Sequence, residues 1–441
     1  MSDGAGIDTG SPNPEEATGP DVALPASPRG LRAIFRSLRH ANFRLYFCGQ
    51  LVSLLGTWVQ VPALMWLMFE LTGQSFWTAL IAAAQILPTF LCGAWFSAIA
   101  ERWPRRNVLM CTQAGMAVLA FLLAAVVYPG TATPELLLAI TLVNGFVQAV
   151  DLPARLAFVS EMVTERDDVM NAVALNALSF NVARASGPAL AGWLQLTVGP
   201  ATCFLINALS YVGVLCALAL MKLDHAGRRH DTGSSFAALV DGFRYLAGHT
   251  ELTLLIFLAG VLALCGWPFI ALLPAFAERT LHVGEFGYSL MLSGTGCGAL
   301  LAALAVAAFV NFERRKLFIT TGVVLLGAAL MGLAASRWLP VSVLCTSVIG
   351  FGLILFFSTS QGVVQLSAEE HQRGRVMGIW AMVVSGGLPI GNLIVGWAAD
   401  RWGEPVVLGV QSVICLGAAL GLWGLLRRGG WAPGPLSPTK D

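Results

Sequence analysis

The chain has 441 residues, of which 56% are hydrophobic and only 12% charged, against about 25% charged residues in a soluble domain. Its net charge of +1 leaves no basic surface for a nucleic-acid partner, and no G-x-x-x-x-G-K-[ST] loop is present to serve a built-in ATPase. Those numbers exclude an ordinary soluble domain and point to a chain dissolved in lipid.

Residues 1–28 are rich in Pro, Gly and acids, have no basic residue before Arg29 and lack the apolar core of a secretory signal. They are expected to form a disordered arm. Leu31, Ile34, Phe35 and Leu38 then recur at i, i+3, i+4 and i+7 between Arg32, Arg36 and Arg39, the pattern of an amphipathic helix on a membrane surface. Twelve apolar segments follow, at approximately 44–69, 77–100, 107–128, 136–160, 169–195, 201–221, 252–277, 286–310, 317–336, 340–366, 376–400 and 405–426. Each has the roughly 20 residues that a crossing needs. Without strict alternation they read as helices, since only helices or closed barrels satisfy the backbone in lipid. A central loop, 223–250, separates six-helix stretches at 29–222 and 251–428, and a tail covers 429–441. Within the loop Phe236, Leu239, Val240, Phe243 and Leu246 predict a second amphipathic helix.

Lys and Arg fill every second gap: Arg102, Arg105 and Arg106; Arg155 and Arg166; Lys222, Arg228, Arg229 and Arg244; Arg314, Arg315 and Lys316; Arg373 and Arg375. The alternate gaps hold only Arg279, Arg337 and Arg401. Cytoplasmic loops carry the excess of positive charge, so both termini are expected in the cytoplasm and the chain in the inner membrane. All nine Cys fall in or beside apolar segments without a C-x-x-C spacing and read as small buried hydrophobes. No metal site and no cofactor are expected.

The two stretches resemble each other. Val143, Gly145 and Phe146 recur as Val348, Gly350 and Phe351; Gly187, Gly192 and Trp193 recur as Gly391, Gly396 and Trp397; Arg105-Arg106 recurs as Arg314-Arg315. The near-constant offset predicts an all-α membrane protein of twelve transmembrane helices in two six-helix pseudo-repeats, with a site near the midplane between them.

On these residues the chain resembles the major facilitator superfamily from Leu38 to Arg428. Leu38-Arg39-His40-Ala41-Asn42-Phe43-Arg44, Asp151-Leu152-Pro153-Ala154-Arg155, Asn176-Ala177-Leu178-Ser179-Phe180-Asn181-Val182-Ala183-Arg184 and Gly187-Pro188-Ala189-Leu190-Ala191-Gly192 resemble its branch of enterobactin exporters and macrolide-efflux proteins. The superfamily's gating loop reads G-x-x-x-D-R-x-G-R-R. Here Ser97, Glu101 and Pro104 replace its first Gly, its Asp and its second Gly, while Arg102, Arg105 and Arg106 match. The resemblance implies that Glu101, Arg102, Arg105 and Arg106 brace helix ends in one transport state; an ordinary basic turn would read the same way. Gly396-x-x-x-Asp400-Arg401-x-Gly403 copies the pattern at an outer end, as a capped turn or as a second gate. Gly187, Pro188 and Gly192 resemble the superfamily's antiporter motif and imply export.

Among the acids, only Asp151 lies well inside a segment, where a charge costs roughly 2.5–3.5 kcal/mol. At helical rise it sits roughly 22 Å from the outer start, with Arg155 one turn further on the same face. Arg184 lies in the outer third, so no direct pair with Asp151 is expected. Asp151, Arg155 and Arg184 are candidates for proton coupling or a charge relay. The alternatives are a permanently ionised Asp151–Arg155 brace, and an Arg184 that holds an anionic substrate, anchors a gate or binds backbone carbonyls. Trp58, Gln85, Asn144, Gln148, Asn176, Ser179, Trp267 and Asn392 are candidate lining of a substrate cavity, or helix–helix contacts.

The expected function is proton-driven export of a small amphipathic molecule, such as a siderophore, macrolide or other secondary metabolite, by alternating access. Uptake of a nutrient or organic anion is the alternative, and no enzyme constellation is visible. The expected partners are a small-molecule substrate, protons and membrane lipid, with no nucleic acid, and the chain is expected to act as a monomer.

Overall fold

The computed structural model of the protein describes residues 35–100, 103–163, 165–221, 236–309 and 314–427. The expected disordered arm, the C-terminal tail, residues 223–235 of the central loop, and Glu101 and Arg102 lie outside the described residues.

The long helices are α1 (Ala41–Thr72), α2 (Ser75–Ala100), α3 (Arg105–Val127), α4 (Pro134–Glu161), α5 (Arg166–Val198) and α6 (Pro200–Leu220). After the short α7 (Phe236–Ala247) come α8 (Thr250–Cys265), α9 (Phe269–Ala275), α10 (Gly284–Phe309), α11 (Arg315–Ala335), α12 (Leu339–Ser367), α13 (Glu370–Trp402) and α14 (Glu404–Arg427). Among the described residues, eleven helical segments are long and apolar enough to cross a membrane, with α8, α9 and the π-turn Phe276–Thr280 counted as one, Thr250–Thr280. The 33-residue α5 is not among them; its Asn171, Asn176, Asn181, Arg184 and Gln195 lower its apolar character.

Local chemistry sets the turns. Thr133 caps α4, its Oγ1 accepting from Leu136 N at 3.3 Å with Pro134 behind it. Gly73 ends α1 in the left-handed region (φ 63°), and Gly403 (φ 84°) reverses the chain between α13 and α14, a conformation that glycine adopts without steric cost. The apolar segment at 252–277 is broken at Gly266-Trp267-Pro268, because Pro268 has no N–H to continue α8. At the N-terminal side, the described part of the expected amphipathic helix is a 3-10 turn, Arg36–Arg39. Its side chains are drawn onto the start of α5, where Ser37 donates to Asn171 Oδ1 at 2.8 Å.

The helices before residue 222 pack mostly on one another, as do those after residue 235, and the groups meet mainly at two pairs, α5 with α10 and α2 with α13, with smaller contacts of α9 on α1 and α2 and of α10 on α1. Glycines permit these approaches. A Cβ on Gly192 would lie 2.6 Å from Ser289 Cβ, and one on Gly396 would lie 2.4 Å from Ala79 Cβ. Within the groups, Gly145 abuts the carbonyl of Ala84 and Gly350 that of Thr295. The hydrogen bonds that join described residues of the two groups all lie at the end of the bundle marked by Ser75. The ion pairs between described residues at the opposite end, marked by Arg105, stay within a group, as in Arg105–Glu161 and Arg375–Asp241.

Only Cys203 and Cys415 of the nine cysteines are buried, and Cys48, Cys111, Cys216 and Cys297 are exposed on the bundle, which corrects their reading as core residues. A surface that faces lipid asks for apolar side chains as firmly as a core does.

Candidate functional site

The buried carboxylate lies where α4 crosses α3. Asp151 is 1% exposed. Its Oδ1 accepts from Thr112 Oγ1 at 2.7 Å and from Gln113 Nε2 at 2.9 Å, and its Oδ2 lies 3.4 Å from Arg155 Nη2. One oxygen is thus held by two neutral donors and the other by a cation one helical turn away. A carboxylate so partnered is tolerated in a dry interior, whereas removing one partner leaves it uncompensated. Thr112 and Gln113 were not picked out in the sequence; adjacent polar residues inside an apolar segment were the available signal.

A second polar cluster lies between α1 and α6. Asn207 Nδ2 donates to Gln60 Oε1 at 2.8 Å, and Thr57 Oγ1 lies 3.4 Å from Tyr211 OH. Gly56 makes room, since a Cβ there would fall 2.3 Å from Ser210 Oγ. Thr57, Gln60 and Tyr211 of this cluster meet Gln85, Asn144 and Gln148 around a space of ≈ 20 Å³. That volume accommodates about one water molecule.

The other residues of the predicted cavity lie elsewhere. Trp58 stands edge-on to Phe180, centroids 5.6 Å apart, and supports α5 at Gly187, where a Cβ would fall 2.5 Å from Trp58 Cβ. Pro188 follows, buried inside α5. Ser179 turns back to Leu175 O at 2.9 Å, and Asn176 is half-buried one turn before Phe180. Trp267 stands edge-on to Phe357 at 5.5 Å. Asn392 is buried on α13 beside Gly391, which packs on Leu264 O and Pro268 at the α8–α9 break. The eight residues therefore occupy three places.

Arg184 lies on α5 between these places. Its Nη2 donates to Asn181 Oδ1 at 3.2 Å, its guanidinium sits 6.0 Å from the Phe180 ring centre, and its buried Nε has no hydrogen-bond partner among the described residues. Its backbone carbonyl abuts Gly296 of α10, where a Cβ would fall 2.4 Å away. A half-buried guanidinium at the junction of the groups, with a spare donor, can take an anion or a carbonyl.

Two ionic clusters mark the ends. At the Arg105 end, Arg105 bonds Glu161 at 2.6 Å and Arg106 donates to Ala219 O at 2.9 Å, fastening the start of α3 to the ends of α4 and α6. Beside them Asp168, fully buried, meets Arg36 Nε at 2.6 Å, Arg39 Nη2 at 2.7 Å and His40 Nε2 at 2.9 Å. Burial pushes the Asp168 carboxyl up, but the hydrogen bonds from His40 and Arg39 and the nearby Arg36 charge outweigh it, and the group is held below the usual carboxylate range. At the Ser75 end, Asp400 and Glu404 of one group meet Ser75 and Phe76 of the other. Nearby opens a cavity of ≈ 670 Å³ lined by Trp66, Phe69, Glu70, Leu196, Glu285 and Phe286 among others.

Comparison with known proteins agrees with this architecture. The family of transmembrane secretion effectors matches residues 33–428. The staphyloferrin A transporter of Staphylococcus aureus is 22% identical over 380 residues, covering 85% of this chain and 94% of that protein. The multidrug efflux pump Tap of Mycobacterium tuberculosis is 27% identical over 372 residues, covering 80% and 86%. Among solved structures, the nucleoside transporter NupG superposes with a TM-score of 0.69 at 14% identity, covering 88% of this chain and 99% of its own, and shares the fold.

Proposed function

Because the chain belongs to the transmembrane secretion effectors of the major facilitator superfamily, we propose that it exports a small amphipathic molecule by alternating access, driven by the proton gradient. In this reading twelve helices form two six-helix pseudo-repeats in the inner membrane. The Ser75 end faces out, and the Arg105 end and both termini face the cytoplasm, as the distribution of Lys and Arg requires. The chain works as a monomer, with protons and lipid as its other partners. The repeat reading draws support from paired glycine contacts: Gly145 on Ala84 beside Gly350 on Thr295, and Gly192 on Ser289 beside Gly396 on Ala79.

One observation carries the proposal: among the described residues, the two groups of helices are joined by hydrogen bonds at the Ser75 end, while the ion pairs at the Arg105 end are internal to each group. A transporter sealed on one side needs that asymmetry, and its groups must separate and rejoin for the opposite state. Asp151, with Arg155 and the two neutral donors, is the proposed proton relay, and Arg184 at the junction is the proposed contact for an anionic or carbonyl-bearing part of the cargo. The multidrug efflux pump among the named relatives supports the direction, and that pump together with the staphyloferrin A transporter supports a small-molecule cargo.

The test uses inverted and right-side-out vesicles, each with and without an imposed proton gradient, with a siderophore and a macrolide as probes. Export predicts gradient-dependent accumulation in inverted vesicles that a protonophore abolishes. Accumulation confined to right-side-out vesicles means uptake and overturns the reading. Substrate-driven proton release unchanged in Asp151→Asn would remove that residue from the coupling.

A further inference from the structure

At the Ser75 end, three side chains from separate elements of the second group grip the first. Asp400, in the last turn of α13, accepts from the backbone N–H groups of both Ser75 (2.7 Å) and Phe76 (2.9 Å). These are unpaired donors of the first turn of α2, and a carboxylate there satisfies them and meets the positive end of the helix dipole. Glu404, the first residue of α14, is 2% exposed and accepts from Ser75 Oγ at 2.9 Å and from Arg279 Nη1 at 2.8 Å. Arg279, on the π-turn after α9, donates onward to Gly73 O and lies over the Phe69 ring at 5.4 Å. Its Nη1 is also 3.8 Å from Asp400 Oδ1.

Among the described residues, the related seam has no such device. Gly192 packs on the start of α10 as Gly396 packs on the start of α2. One turn beyond Gly396 stands Asp400, whereas one turn beyond Gly192 stands Leu196, 59% exposed on the wall of the ≈ 670 Å³ cavity. The glycine contact is repeated and the polar grip is not.

We propose that Asp400, Glu404 and Arg279 form a one-sided latch that holds the two groups of helices together at the Ser75 end, and that its release opens both seams. Three features support a latch over a local cap. Its bonds from Ser75 and Phe76 to Asp400 and Glu404, and from Arg279 to Gly73 O, cross between the groups, its central carboxylate is buried, and its members come from α13, α14 and the π-turn, so parting the groups breaks these four bonds at once and leaves Arg279 with Glu404 inside the second group. Charge-assisted bonds of this kind are the stronger class. They act only while the seam is closed, so they stabilise one state of the cycle and not the other. The role in transport rests on the alternating-access reading; the latch itself is tested without substrate.

The experiment is hydrogen–deuterium exchange of the full chain in lipid nanodiscs, comparing the parent with Asp400→Asn and with the double variant Arg279→Gln, Glu404→Gln. The expected result is exchange about tenfold faster in segments 75–80 and 396–404 and, at the same time, in segments 192–198 and 286–292 of the unlatched seam. Residues 319–330, inside the second group, are expected to keep their protection, which separates opening from misfolding, and Asp241→Asn at the other end is expected to change neither seam. Acceleration confined to 75–80, or none, would overturn the latch and leave a local helix cap. A transport assay that finds no export leaves this result standing, because the exchange is read on the empty protein.

Discussion

The two main seams between the first group of helices and the second differ in kind. The α5–α10 seam is close glycine packing: Gly296 abuts the Arg184 carbonyl and Gly192 abuts the Ser289 side chain. The α2–α13 seam repeats the glycine contact at Gly396 and adds Asp400, Glu404 and Arg279. Close glycine packing is short-ranged and non-directional, so it is lost as soon as helices part. Buried charge-assisted bonds are specific to one geometry. Shape complementarity thus permits closure at both seams, and electrostatics selects it at one.

The comparison can be sharpened first by a large change that touches neither seam. Arg155→Gln leaves Asp151 buried without its cation and is expected to cost about 3–5 kcal/mol. Thermal unfolding in mild detergent should fall sharply, while exchange at the two seams relative to the rest of the bundle stays as in the parent. Next come the seams themselves. Gly192→Leu and Gly396→Leu each drive a side chain into a space where even a Cβ finds atoms at 2.6 Å and 2.4 Å, which is expected to disfavour the closed seam by about 1–3 kcal/mol. Labelling by a membrane-impermeant reagent at the Ser75 end should rise for both. Equal effects would confine the difference between seams to the polar groups.

A smaller effect concerns pH at the Arg105 end. The Asp168 carboxyl is held below its usual range in the folded protein. The stability it contributes is therefore present above the ordinary carboxylate pKa and is lost as pH falls through the depressed value. Asp168→Asn is expected to lower stability by a constant amount between about pH 5 and 8 and to narrow its gap to the parent as the solution is made more acid. A pH series of unfolding midpoints checks this. The smallest effect tests symmetry: Leu196→Asp with Glu285→Gln places a carboxylate beside the start of α10, and a helix N-terminus gains about 0.3–1 kcal/mol from such a charge. Slower exchange in segment 286–292 would show that the bare seam accepts a latch.

Much of this was legible in the residues. Long apolar segments without alternation identified membrane-spanning helices, because lipid leaves the backbone few other solutions. The spacing of Asp151 and Arg155 placed them on one helical face, because that follows from 3.6 residues per turn. The break at Gly266-Trp267-Pro268 was written in the sequence but passed over, because apolar composition runs straight through it. The eight residues grouped as one cavity were chosen by polarity and depth, and neither quantity reports which helix lies beside which. Gln85, Asn144 and Gln148 consequently share a space of one water's size with Thr57, Gln60 and Tyr211, and Trp267 and Asn392 belong to the other group.

What the sequence by itself determined was the solvent, the order of the helices, and the family that residues 33–428 match. What only the tertiary structure decided was which side of each helix is core and which partners the buried charges keep. In water, amphipathic periodicity marks the inner face; in lipid both faces are apolar, and the exposed Cys48, Cys111, Cys216 and Cys297 look like core residues until the helices are packed. The bond from Ser75 N to Asp400 joins residues 325 positions apart. Such a contact depends on the packing of α2 against α13, which no local pattern encodes.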